Sequence, residues 1–66
     1  MNIIVNGEPC EIVSDTTLFA LMENVGVKPE ITAAQRNEEI VERDAYRTTL
    51  LQEGDVIELI RIVGGG

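Results

Sequence analysis

The chain has no histidine, no tryptophan, and a single cysteine, tyrosine and phenylalanine among its 66 residues. Without histidine there is no Ser-His or Cys-His pair for nucleophilic catalysis. With Cys10 alone there is no intramolecular disulfide, no ferredoxin-type cluster and no structural zinc site. Basic residues are also scarce, five against twelve acidic ones, for a formal net charge of -7. That charge repels a phosphate backbone and argues against nucleic acid as a partner. It suits a basic protein surface, and equally it serves to keep a small domain soluble. No apolar run approaches the roughly 20 residues of a membrane span, and the N-terminus has no basic region leading into an apolar signal stretch. The expectation is a cytoplasmic chain without a membrane partner. One domain is all that this length supports, and a chain so short buries only about 60% of its unfolded surface.

What the chain does have is concentrated at its end. Val56 to Val63 is rich in β-branched residues and carries only Glu58 and Arg61 as charges, so it reads as a strand near the middle of a sheet. Gly64, Gly65 and Gly66 follow. Glycine loses the most entropy on ordering, so this run is expected to leave the sheet as a mobile thread, reaching roughly 10 Å at full extension. The expected division is a domain over residues 1–63 and a glycine tail over 64–66, with the Gly66 carboxylate as the working group. Against this stands the reading of an incidental flexible end.

The rest of the chain is read from local signals. Met1 to Val5 is a strand, Asn6-Gly7 a two-residue hairpin turn, and Pro9 to Val13 a second strand suited to a sheet edge, since Pro9 has no N–H to donate. Cys10, flanked by Glu8 and Glu11, lacks the basic neighbour or helix N-terminus that a functional thiol needs and reads as structural or incidental. Ser14-Asp15-Thr16-Thr17 supplies capping oxygens for a helix. Leu18, Leu21, Met22 and Val25 form that helix's inward stripe, with Phe19 and Met22 as core fillers. Gly26 suits the left-handed residue that ends it, with Val27 reaching Met22. Ile31 to Arg36 and Glu39 to Val41 are strands joined at Asn37-Glu38, and Asp44 to Arg47 forms a helical turn. Glu38, Glu39, Glu42 and Asp44, interleaved with Arg36, Arg43 and Arg47, lack the ligand spacing of a Ca²⁺ loop and read as a solvated surface. Glu53-Gly54-Asp55 turns into the last strand.

The element order is ββαβββ, an α+β chain whose last strand is expected parallel beside the first, reached by a crossover. Alternation along that strand puts Ile57 and Leu59 toward the helix and Ile60 and Ile62, with Val56 and Glu58, on the other face. Ile60 and Ile62 are therefore a candidate partner-binding patch, the bland reading being tolerated apolar surface.

This order, with Asn6-Gly7-Glu8, Thr17-Leu18, Leu21-Met22, Asn37 to Arg43, Gly54 to Ile60 and Val63-Gly64-Gly65-Gly66, resembles the ubiquitin-like β-grasp sulfur carriers of the ThiS/MoaD family, and above all its thiamin-biosynthesis branch. The pattern departs at Glu38, where the family usually has Gly, and at Glu42, where it usually has Pro. The resemblance implies a mixed sheet of about five strands with one packed helix, and a carrier with no catalytic residues, metal or bound cofactor. It also implies adenylation of the Gly66 carboxylate by a ubiquitin-activating-type, ThiF-like adenylyltransferase that consumes ATP. Sulfur from a donor such as a cysteine desulfurase then gives a thiocarboxylate, which a ThiG-like thiazole synthase accepts. Gly64 and Gly65 would keep the tail slim enough for a partner's channel. Alternatives are a carrier for molybdopterin, cysteine or homocysteine synthesis, a ubiquitin-like modifier joined to lysines, and a plain binding module.

Overall fold

The computed structural model describes residues 1–62. Its strands are β1 (Asn2–Val5), β2 (Glu8–Glu11), β3 (Thr32–Arg36), β4 (Glu39–Val41) and β5 (Val56–Arg61), with one α-helix, α1 (Leu18–Val25), and 3-10 turns at Pro29–Ile31 and Arg43–Ala45. The first hairpin forms because Asn6 and Gly7 both take positive φ, 50° and 82°, the twist that joins antiparallel strands without splaying them. The second hairpin repeats that geometry at Asn37 and Glu38, with φ of 51° and 72°.

Helix α1 begins where the Thr17 hydroxyl accepts the Ala20 amide at 3.1 Å, the reach of an N-cap side chain. It ends at Gly26, whose φ of 83° turns the chain so that the Gly26 and Val27 amides both donate to the Met22 carbonyl at 3.0 Å. That closes carbonyls the last helical turn leaves open. Leu18, Leu21 and Met22 are fully buried. Val25, the last residue of the helix, is not: it is 43% exposed. Phe19 is only partly buried, packed against the core while the Arg47 guanidinium lies 4.0 Å from its ring centroid.

The sheet order is β2-β1-β5-β3-β4. Strand β5 is central, parallel to β1 and antiparallel to β3, as the β-grasp expectation requires. Pro9 lies on the edge strand β2, where its missing N–H costs no ladder bond. The core between sheet and helix is built from Ile3, Leu21, Met22, Ala34, Ile57 and Leu59, closed at one side by Tyr46 and Leu51. The Tyr46 hydroxyl donates to the Thr32 carbonyl at 2.8 Å, which satisfies its one polar atom inside the core. No helix among the described residues is long and apolar enough to cross a membrane.

Candidate functional site

Strand β5 is the middle strand, and the chain continues from it through Ile62 and Val63 to the glycine run. Its inward residues Ile57 and Leu59 are 0% and 9% exposed, whereas Ile60 and Ile62 are 52% and 48% exposed on the opposite side of the chain. The alternation read from sequence therefore places Ile60 and Ile62 on one exposed side of the chain. Register extends the patch: Ile60 pairs with Ala33, Glu58 with Gln35, and Gln35 with Ile40. On the β1 side Val56 pairs with Ile4, itself opposite Pro9. Residues opposite one another in a ladder share a face, so Ile4, Pro9, Ala33, Ile40, Val56 and Ile60 form one outer apolar sheet face, interrupted by Glu11 and Glu58. The extension to Ile40 and Pro9 depends on strand pairing and has no local signal.

Beyond β5 the Ile62 amide donates to the Ile31 carbonyl at 2.7 Å, tying the root of the glycine run to the start of β3. Gly64, Gly65 and Gly66, and the boundary expected at Val63, lie outside the described residues.

The other end of β5 is anchored by a polar hub that sequence reasoning missed. Asp55 is buried, and its carboxylate accepts from Arg36 Nε at 2.9 Å, Asn37 Nδ2 at 3.1 Å and the Gln52 amide at 2.8 Å. Burial on its own pushes the Asp55 carboxyl up; the Gln52 and Asn37 hydrogen bonds and the nearby Arg36 charge outweigh it and hold the group below its ordinary value. Arg36 thus belongs to this hub rather than to the charged surface of the following segment. The only signal was Gly54-Asp55 ahead of an apolar strand, which marks a turn but not a buried carboxylate.

Two asparagines finish the ladder where the neighbours of β5 run out. Asn6 Oδ1 accepts from the Leu59 amide and Asn37 Oδ1 from the Val56 amide, both at 2.8 Å. Each hairpin turn therefore supplies its own shape and a cap for the central strand. Cys10 is half-buried against the core. Glu38, Glu39, Glu42 and Asp44 are all exposed, and among the described residues no three His, Cys, Asp or Glu side chains gather as metal ligands.

Known proteins are similar to this chain in architecture and in sequence. The model of the ThiS family matches residues 3–66. The sulfur carrier protein ThiS of Bacillus subtilis is 34% identical over 62 residues, spanning 92% of this chain and 94% of that protein. A thiazole synthase of Magnetococcus marinus is 42% identical over 66 residues, but the chain spans only 20% of that protein's length, as it does for the thiazole synthase of Paramagnetospirillum magneticum. The crystal structure of the thiamine biosynthesis protein ThiS from Geobacter metallireducens superposes with a TM-score of 0.86 at 30% identity, covering 100% of both chains. By fold, by sequence and by the reach of the match through its glycines, this chain belongs to the ThiS family.

Proposed function

We propose that this chain is a sulfur carrier for thiamin biosynthesis, a cosubstrate of partner enzymes and not itself a catalyst. The observation that carries the reading is that the family match runs to residue 66, so the glycines count as part of the family pattern and not as an appendage. Thiazole synthase is the favoured acceptor over a molybdopterin, cysteine or homocysteine enzyme. Two proteins named thiazole synthase contain a segment similar to this whole chain within a much longer polypeptide.

The chemistry follows from the poor electrophilicity of a carboxylate. A Gly66 carboxylate oxygen attacks the α-phosphorus of ATP on a ThiF-like adenylyltransferase, and pyrophosphate leaves. Sulfide then attacks the acyl carbon and AMP leaves. Where the donor is a cysteine desulfurase persulfide, its terminal sulfur attacks instead, AMP leaves, and a second thiol reduces the resulting acyl disulfide, releasing the thiocarboxylate and forming a disulfide with the donor sulfur. The terminal group is now C(O)S⁻, ready to transfer sulfur to a ThiG-like acceptor. Gly64 and Gly65 supply no side chain to block the narrow passage that such a reaction needs. The exposed Ile60 and Ile62 supply the apolar contact beside that passage.

The reading requires Gly66 to carry a free carboxylate in the working protein, and intact-mass analysis measures this together with the chemistry. After incubation with ATP, the ThiF-like enzyme of the same organism and a sulfide source, the expected product has one oxygen replaced by sulfur at Gly66. An unchanged mass under conditions that charge the Bacillus subtilis carrier overturns the proposal.

A further inference from the structure

The chain is strongly acidic, yet the cleft at the root of the glycine run is lined by cations. This open cleft of about 300 Å³ has Val27, Ile31 and Leu59 as its apolar floor, Thr32 beside them, and Lys28 and Arg61 as its charged walls. Two of the five basic residues stand here, and among the described residues none of the twelve acidic ones lines it. Glu23, Glu30 and Asp44 lie instead around a separate depression with Arg43 and Arg47.

The walls are held by backbone. Gly26 turns the chain back with its positive φ, and the Lys28 carbonyl accepts the Thr32 hydroxyl at 2.6 Å and the Ile31 amide at 3.1 Å. Alternation along β5 sends Arg61 to the side of Ile57 and Leu59, away from Ile60 and Ile62. The root of the glycine run thus has an apolar flank and a cationic flank.

We infer that the enzyme which takes up the glycine tail presents carboxylate side chains at the mouth of its channel, and that these seat in the cleft between Lys28 and Arg61. The inference rests on the sulfur-carrier reading. An enzyme that draws in residues 63–66 must surround their root, so its mouth meets both flanks. Residues 62–66 drawn out straight into a channel would span roughly 17 Å, which would carry the Gly66 carboxylate, and a nucleotide reacting there, away from the two cations. Their counter-charge is therefore the partner protein and not ATP. Two cations on an acidic body also orient the approach, because the remaining surface repels the same acidic mouth.

The test is ATP–pyrophosphate exchange by the ThiF-like enzyme of the same organism, with the full chain as varied substrate. Lys28→Glu combined with Arg61→Glu is expected to raise KM roughly tenfold, leave kcat within about twofold, and flatten the rise of KM with salt. Lys28→Glu alone, in an exposed turn, serves as the second variant if the β5 substitution impairs folding, and Lys28→Arg is expected to behave as wild type. A KM and salt profile for the Glu variants matching wild type overturns the inference and leaves the carrier reading standing. No exchange with the wild-type chain overturns both.

Discussion

Glu38 sits at φ 72° in the β3–β4 turn, a conformation that brings Cβ too near the following carbonyl oxygen and costs roughly 1–2 kcal/mol for an ordinary side chain. Its neighbour Asn37 shares the left-handed region but gains the hydrogen bonds to Val56 and Asp55 in return. Among the described residues Glu38 makes no comparable bond, so Glu38→Gly is expected to stabilise the fold by about 1 kcal/mol, seen as a higher urea midpoint at unchanged slope. Asp55 is the opposite case, a residue whose environment is built for it. Its folded carboxyl lies below the ordinary value, so its contribution is fully present above the unfolded pKa, about 3.9, and is lost as pH falls through the lower folded value. Asp55→Asn is expected to cost about 2 kcal/mol at neutral pH. In urea melts the gap to wild type should shrink steadily below about pH 4; a gap that stays constant to pH 2 contradicts the hub.

Strand β5 is the element on which the others depend. Its inner face meets the helix through Ile57 and Leu59, its edges are paired with β1 and β3, and Asn6 and Asn37 cap the amides that those shorter strands leave over. The outer face needs no such complement inside the domain, which is why Ile60 can be changed without touching the core. Ile60→Asp is expected to shift stability by no more than about 0.5 kcal/mol. The same change should weaken binding to the ThiF-like enzyme about tenfold, about 1.4 kcal/mol by titration calorimetry. Unaltered affinity would return Ile60 to the status of tolerated apolar surface. Helix α1 shows where pattern and packing part: Val25 fits the inward stripe by spacing but stays 43% exposed, at the last position before the left-handed Gly26 ends the helix. Periodicity assigns a direction to a residue; it cannot say whether anything stands in that direction.

At the level of the whole molecule, the proposed working end is expected to be separable from the scaffold. The described core is assembled between Ile3 and Leu59, so removing Gly65 and Gly66 is expected to leave the thermal melt unchanged while abolishing sulfur loading in the intact-mass assay. Loading that survives the deletion would sink the carrier reading. Both hairpin turns, the helix with its two caps and the faces of β5 were legible in the sequence. Each is governed by contacts within a few residues: positive φ at an asparagine-led turn, a hydroxyl reaching the third amide on, apolar alternation. The burial of Asp55, the partnership of Arg36 with it, the spread of the apolar face to Ile40 and the meeting of Lys28 with Arg61 were not. All four depend on which strands lie side by side and in what register, and that is settled by the joint closure of one small core, a condition no local window contains.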